Sequence, residues 1–206
     1  RLKERFAFLS SNAYKILSRG IFIIIIIYMC AKSVELTKNY KNEMVLWSNL
    51  VRENPRCLVA YDSLAEEYRN IGEKEKVLAL YKKAIEINPG AREAYYNLGN
   101  AYCALGKNKD AIKAYEKAVQ IDPGYLQAIN NLASTYADMG STGKAIEIWN
   151  KAVQVDPAFA IAHFNLVKFY FAQKKYDLAA KHCDELKKLG IPVDPAFLKL
   201  LESHRK

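Results

Sequence analysis

The sequence has few of the residues that usually form metal or redox centres. Its 206 residues include four cysteines and three histidines. Cys30, Cys57, Cys103 and Cys183 are widely separated, with no Cys-x-x-Cys pair and no histidine at ligand spacing from any of them. Metal and redox motifs need short, fixed spacings, so neither is predicted. Buried, unreactive thiols are expected instead, because free cysteine is among the most buried residue types.

A catalytic constellation is also missing from the sequence. His163, His182 and His204 are far apart along the chain, and each is predicted to be a surface or packing residue. No group of glycines has the spacing of a phosphate-binding loop. The sequence therefore predicts no enzyme activity, no cofactor and no metal ion for this chain.

A basic stripe along the body of the protein is the third missing feature, although the formal net charge is +9. Residues 1–56 contain ten basic and four acidic residues, whereas residues 57–206 contain 21 and 18. Nucleic-acid binding needs basic residues aligned on one face with stacking aromatics beside them. Because the lysine pairs at 82–83, 174–175 and 187–188 are expected to be solvated helix faces, no nucleic-acid partner is predicted.

One long apolar run is present, over residues 21–31. As a helix it would rise about 16 Å, roughly half the hydrocarbon core of a bilayer. Three interpretations remain open: a partial membrane span, a buried helix and a buried strand. The membrane interpretation is favoured, because Lys and Arg are denser before the run than after it. That asymmetry predicts a cytoplasmic N-terminal side and an extracytoplasmic, membrane-associated C-terminal part.

The rest of the chain repeats every 34 residues. Columns of identical residues include Leu64, Leu98, Leu132 and Leu166; Tyr68, Tyr102, Tyr136 and Tyr170; and Ala60, Ala94, Ala128 and Ala162. A turn column contains Gly72, Gly106 and Gly140, with Lys174 in the fourth place, and a second-helix column contains Tyr81, Tyr115, Trp149 and Cys183. Each of the first three units closes on Asn88-Pro89, Asp122-Pro123 or Asp156-Pro157. A fixed period of this length indicates a solenoid of stacked units.

Each column has a structural role. Tyr95, Leu98 and Tyr102 lie on one face of a first helix, and Ala111 and Tyr115 lie on one face of a second. The glycine ends the first helix, because glycine readily adopts the left-handed conformation needed there. The proline is predicted to break the second helix and to start the next in its first turn. One helix pair cannot bury both faces, so the pairs must stack.

These columns resemble the tetratricopeptide repeat family over residues 58–191. The resemblance implies an all-α solenoid of antiparallel helix pairs in a right-handed superhelix, preceded here by an N-terminal hydrophobic helix. The predicted divisions are a basic and hydrophobic segment (1–37), a connecting helix that resembles half a repeat (38–57), three repeats (58–90, 91–124 and 125–159), a degenerate fourth (160–193) and a capping helix (194–206).

The resemblance also implies that the first helices line a concave face that binds a protein or an extended peptide. One lining column contains Ser63, Asn97, Asn131 and Asn165 and is similar to the asparagine ladder of O-linked N-acetylglucosamine transferase, because an amide both donates and accepts hydrogen bonds. The alternative is that these asparagines are solvated consensus residues. The predicted peptide-binding residues are Tyr96, Asn97, Asn100, Asn130, Asn131, Phe164, Asn165 and Lys168. Asp62 and Glu66 stand where a carboxylate clamp would need lysine and asparagine, so that ligand class is disfavoured.

A weaker resemblance covers residues 4–57. Glu4-Arg5-Phe6, the isoleucine run, Leu46-Trp47 and Asn54-Pro55 follow one another as in the C-terminal part of membrane glycosyltransferase-like proteins, the transmembrane and tetratricopeptide repeat-containing mannosyltransferases. This resemblance implies a substrate-presenting domain whose catalytic part precedes Arg1, and the absence of an initial methionine suggests a fragment. The main prediction is a membrane-tethered interaction scaffold. A purely structural role, in which the concave face packs against the protein's own membrane part or another copy, is the third hypothesis.

Overall fold

The computed structural model describes residues 43–204 of the chain. The chain divides into two units, Arg1–Asn54 and Pro55–Lys206. In the first unit the described part is helix α1 (Glu43–Glu53). The predicted hydrophobic helix and the apolar run of residues 21–31 lie outside the described residues. Within residues 43–204, no helix is long and apolar enough to cross a membrane.

The second unit is built of helices joined by short turns. Its helices are α2 (Leu58–Asn70), α3 (Lys74–Ile87), α4 (Arg92–Ala104), α5 (Asn108–Ile121), α6 (Leu126–Asp138), α7 (Thr142–Val155), α8 (Ala160–Ala172), α9 (Tyr176–Lys188) and α10 (Pro195–Ser203). Each helix packs on the next along the chain. Turns of three or four residues join the helices from α2 to α9 and make consecutive helices antiparallel, and six residues precede α10. The described part is therefore the predicted all-α solenoid of helix pairs.

The turn inside each helix pair needs a left-handed residue. Gly72, Gly106 and Gly140 have φ values of 80°, 69° and 77°, as the column predicted. Lys174 occupies the same place with φ 60°, so the fourth turn keeps the conformation without glycine. The left-handed conformation costs a residue with a Cβ roughly 1–2 kcal/mol, so the fourth turn is locally strained.

The turn between helix pairs depends on the residue before proline. The side-chain Oδ1 atoms of Asn88 and Asp122 accept hydrogen bonds from the backbone N–H groups two residues on, at 3.0 and 2.9 Å. Such a side-chain bond mimics a backbone turn. Pro89 and its equivalents lie in this turn, and the next helix begins three residues later. The prediction that these prolines occupy the first helical turn was therefore wrong, although Pro195 does begin α10.

The core alternates small and large side chains. Ala111, Ala118, Ala145 and Ala152 are completely buried, which brings neighbouring helices close together. Trp149 is 1% exposed, and its ring stacks on Phe169 with 5.1 Å between centroids. Truncating a buried aromatic of this size costs about 3–5 kcal/mol. The bulky second-helix column therefore stabilises the contact between successive repeats.

Candidate peptide-binding face

The eight predicted peptide-binding residues lie on the first helices of repeats two, three and four. Helix α4 carries Tyr96, Asn97 and Asn100, helix α6 carries Asn130 and Asn131, and helix α8 carries Phe164, Asn165 and Lys168. The five asparagines are all half-buried, and we call them the amide face. Their hydrogen bonds link successive repeats. The sequence had suggested either a peptide-binding ladder or solvated consensus residues, and neither interpretation included such links.

The link between repeats two and three is centred on Asn100. Its Oδ1 accepts a hydrogen bond from the Tyr115 hydroxyl at 2.7 Å and another from Asn131 Nδ2 at 2.9 Å. Burial, the largest cause, raises the pKa of Tyr115, so its hydroxyl remains a donor at neutral pH. Asn131 Nδ2 also lies 3.4 Å from the Tyr96 hydroxyl. The buried Tyr115 on α5 thus orients the Asn100 amide, which accepts a hydrogen bond from Asn131 in the next repeat.

The link between repeats three and four is centred on Asn130 in the same way. Asn130 Oδ1 accepts from Trp149 Nε1 at 3.1 Å and from Asn165 Nδ2 at 3.1 Å. The indole N–H can only donate, so the atom that it meets must be the carbonyl oxygen. Asn165 must therefore present its NH₂ group to Asn130, which leaves the Asn165 carbonyl oxygen available.

At the link between repeats one and two, a carboxylate takes the place of the acceptor amide. Asn97 Nδ2 donates to Asp62 Oδ1 at 3.2 Å. Burial raises the pKa of the Asp62 carboxyl, and the hydrogen bond from Asn97 partly offsets this rise. Asn97, Asn131 and Asn165 each donate to the preceding repeat, but they do not bond to one another. Each amide has two N–H donors and a carbonyl oxygen with two lone pairs, so Asn97 and Asn165 each keep one N–H and the carbonyl oxygen free. Asn131 donates twice and accepts from Asn130 Nδ2 at 3.4 Å, which leaves it one acceptor lone pair.

Two cavities are lined in part by residues of the first helices. The first, of about 320 Å³, is lined by Arg69, Lys74, Val77, Asn97, Asn100, Ala101 and Ala104. Its cations are engaged within the fold, because Lys74 Nζ donates to the Ala104 carbonyl at 3.0 Å and Arg69 pairs with Glu66. This cavity therefore presents the side-chain amides of Asn97 and Asn100, beside a lysine that is hydrogen-bonded to the backbone but keeps its charge.

The second cavity, which we call the C-terminal cavity, has a volume of about 400 Å³. It is lined by Phe164, Val167, Lys168, Phe171, Cys183, Leu186, Pro192, Val193, Asp194 and Phe197. Phe164 and Lys168 are exposed. The structure thus brings two predicted site residues to an apolar cavity that the sequence analysis did not identify, because its far wall comes from the 191–194 turn and α10.

The histidines are packing or surface residues, as the sequence predicted, but the sequence did not predict that two of them meet. His163 and His182, expected to be independent, are buried together with their Nδ1 atoms 2.9 Å apart. Their columns contain apolar residues in the other repeats, such as Ile129 and Ile148, so paired polar replacements were the available signal. Burial, then the charge of His163, lowers the pKa of His182 to about 4.

The cysteines of the described chain are free thiols. Cys57 and Cys103 are half-buried and Cys183 is buried. Burial raises the pKa of the Cys183 thiol, which keeps it in the unreactive protonated form. Cys30 lies outside the described residues. Across residues 43–204, no three potential ligand side chains lie close enough together to hold a metal ion.

Comparisons with known proteins agree with this architecture. Family profiles described as "Tetratricopeptide repeat" match residues 93–125 and 130–192, and one described as "TPR repeat" matches residues 65–106. No curated protein matches the sequence.

Solved structures of MamA share the fold. One crystal structure of MamA is 23% identical, covers 76% of this chain and 91% of its own, and has a TM-score of 0.65. A second is 24% identical, covers 82% of this chain and 97% of its own, and has a TM-score of 0.62. The chain carries tetratricopeptide repeats, folded as a solenoid of helix pairs like that of MamA.

Proposed function

We propose that this chain is an interaction scaffold that binds an extended peptide segment of a partner protein along the amide face. The observation that carries this proposal is the spare hydrogen-bonding capacity of Asn97, Asn131 and Asn165. Asn97 and Asn165 each have a free carbonyl oxygen and a free N–H, and Asn131 keeps one acceptor lone pair. These groups match the alternating donors and acceptors of a peptide backbone. Tetratricopeptide repeats serve as protein-binding modules, which supports the same class of function.

Peptide binding by the full 206-residue chain tests this function. The probe is a display library of random dodecapeptides, and the variant is the triple substitution Asn97→Ala, Asn131→Ala and Asn165→Ala. We expect the selected peptides to bind the variant at least tenfold more weakly, because several backbone contacts are lost together.

A matched control separates lost contacts from lost stability. Asn150 lies on a second helix, where its Nδ2 donates to the Ile146 carbonyl and to the Tyr170 hydroxyl, both at 2.9 Å. Asn150→Ala therefore removes structural amide bonds away from the amide face. Equal binding by the native chain and the triple variant would contradict the proposed site. A similar loss in Asn150→Ala would mean that stability, and not contact, sets the affinity.

We also propose that the N-terminal apolar run tethers the scaffold to a membrane, with the repeats on the extracytoplasmic side. The support is the sequence of residues 21–31 and the basic residues before it. In a flotation assay with phospholipid vesicles, the native chain should rise with the vesicles. The double substitution Ile24→Asp and Ile26→Asp should remain at the bottom, because a carboxylate is costly in hydrocarbon. Flotation of both proteins, or of neither, would contradict the tether.

A second candidate function is presentation of substrate to a membrane glycosyltransferase of the mannosyltransferase-like class. The order of short motifs in residues 4–57 favours it. The coding sequence upstream of Arg1 is the test. Several apolar spans with an acidic loop motif would support this function, and a start codon directly before Arg1 would contradict it.

A further inference from the structure

The C-terminal cavity has the shape and chemistry of a pocket for one large apolar side chain. Its volume of about 400 Å³ is within the usual range of ligand pockets, roughly 300–1,000 Å³. Phe171 forms part of the wall and is held by ring contacts with Tyr176 and Phe197, at 5.5 and 5.1 Å between centroids. The wall is therefore built before any ligand arrives, which reduces the entropy cost of binding.

Helix α8 exposes apolar residues beside this cavity. Its inner face is buried, yet Ile161 is 52% exposed and Phe164 is 47% exposed. Apolar residues on all sides are typical of a helix that is covered on all sides. Phe164 and Lys168 are four residues apart, so they lie on the same side of α8, about 6 Å apart along its axis.

The charge of the cavity region indicates the sign of its partner. Residues 157–206 contain nine basic and five acidic residues, whereas residues 57–156 contain twelve and thirteen. The positive surplus of the repeat region therefore belongs entirely to its C-terminal third. Two of the five acidic residues, Asp184 and Glu185, already pair with Lys187 and Lys188.

Lys168 is a cation at the cavity without an ion-pair partner in the described part of the chain, and its ammonium group lies over the Phe169 ring, 5.5 Å from the centroid. Within residues 43–204, no carboxylate lies at ion-pair distance from its ammonium group. Asp194 also lines the cavity, but its Oδ1 accepts the Ala196 N–H at 2.9 Å, at the N-terminus of α10. The positive end of that helix offsets the Asp194 charge, so it opposes an anionic ligand less than a free carboxylate would.

We propose that the C-terminal cavity binds an acidic segment of a partner protein, inserting one aromatic or leucine side chain and pairing a neighbouring carboxylate with Lys168. This proposal rests on the proposed function, because it names the chemistry of a peptide that the same first-helix face would bind. Successive residues of an extended chain are about 3.3 Å apart. A carboxylate one or two positions from the inserted side chain therefore spans the distance from Phe164 to Lys168.

The dodecapeptide selection on the full chain tests the proposed chemistry. Enriched sequences should place Asp or Glu one or two residues from Phe, Trp or Leu. The best such peptide should bind Phe164→Ala at least tenfold more weakly, since truncating a central aromatic contact has effects of this size. Lys168→Glu should weaken binding of this peptide about tenfold and should favour a matched peptide in which Lys replaces the acidic residue.

Two substitutions away from the cavity provide controls. Lys109→Glu makes the same charge change on α5, and Leu178→Ala truncates an apolar side chain that is 41% exposed on α9. Neither should change the affinity more than twofold. Because the Lys168→Glu variant is expected to gain a ligand, a general loss of folding cannot produce the expected result.

The outcomes separate this inference from the function on which it rests. The inference would be overturned if the selected peptides bound but lacked acidic residues beside an apolar one. It would also be overturned if Phe164→Ala and Lys168→Glu left their affinity unchanged. Either result would leave the scaffold function intact. Failure of every peptide to bind would overturn both. The inference would also be overturned if dodecanoate displaced the peptide and bound the chain more tightly than any peptide does. The cavity would then be a fatty-acid site.

Discussion

Lowering the pH from 7.5 to 5 is expected to destabilise the fourth repeat through its buried histidine pair. His163 Nε2 lies 3.0 Å from the Pro157 carbonyl, which can only accept, so this nitrogen carries a proton. In the neutral pair, His163 Nδ1 therefore accepts the Nδ1–H of His182, 2.9 Å away. The Tyr170 ring stacks on His182, with 5.7 Å between centroids, and His182 is buried.

The direction of the effect follows from the pKa of His182. Burial, the charge of His163 and then Lys181 lower this pKa to about 4, and Glu185 opposes them weakly. Histidine in an unfolded chain has a pKa of about 6.5. Below that pH the unfolded state takes up a proton that the folded state refuses, so stability is lost as the pH falls from 6.5 towards 4. One proton contributes about 1.4 kcal/mol per pH unit, which amounts to about 2 kcal/mol between pH 7.5 and 5.

Urea denaturation followed by the fluorescence of Trp149 measures this effect where it arises. Trp149 contacts α8 through Phe169, and Trp47→Phe removes the other tryptophan, so the signal reports repeats three and four. A local reporter is needed because repeat arrays can unfold in segments. His182→Gln retains a donor for His163 but does not titrate. We expect its loss of unfolding free energy between pH 7.5 and 5 to be about 2 kcal/mol smaller than that of the parent.

The exposed His204 provides the control, because His204→Gln removes a histidine without touching the buried pair. This variant should keep the parent's pH dependence. The reasoning would be refuted if His182→Gln lost as much stability between the two pH values as the parent. It would also be refuted if His204→Gln removed the pH dependence as completely as His182→Gln.

Two further predictions concern backbone positions. Gly99→Ala should lower the free energy of unfolding by about 1–3 kcal/mol, because the new Cβ would lie 2.6 Å from Cδ1 of the buried Tyr115 ring. Gly143→Ala should instead raise it by about 0.5–1 kcal/mol, because a Cβ at that position meets nothing within 4 Å. Equal changes in unfolding free energy for the two variants, measured by urea denaturation, would contradict the close approach of Gly99 to the Tyr115 ring. Lys174→Gly should raise the free energy of unfolding by about 1 kcal/mol, because it removes a side chain from a left-handed residue. The reverse change, Gly106→Lys, should lower it similarly. The strain would be refuted if thermal melting showed that Lys174→Gly destabilises the protein or that Gly106→Lys stabilises it.

The repeat architecture could be predicted from the sequence because it depends on local, periodic requirements. Leucine and alanine columns mark the buried sides of helices, and Gly72, Gly106 and Gly140 mark the left-handed turns. Register placed Lys174 in the turn column as a residue that breaks the glycine series, and only the structure showed that it keeps the left-handed conformation. The proline position was predicted wrongly, because the side-chain hydrogen bond of Asn88 and its equivalents closes the turn before the next helix begins.

The candidate site was predicted only as a set of positions. Register placed the asparagines on the first helices, but it did not show that Asn97, Asn131 and Asn165 each donate to the preceding repeat. Asn130 and Asn100, which lie outside the Ser63 column, turned out to be the acceptors. Their partners are set by Trp149 and Tyr115 on other helices, and contacts of this kind depend on side-chain geometry across a helix interface.

The sequence by itself determined the period, the helix pairs and the turns, because each of these depends on residues close together in the chain. Only the tertiary structure paired His163 with His182, linked the amide face across repeats and enclosed the C-terminal cavity. These features join atoms on different helices at hydrogen-bond and van der Waals distances. A column of equivalent positions indicates which way a side chain faces, but the packing of the neighbouring helices decides which atoms that side chain contacts.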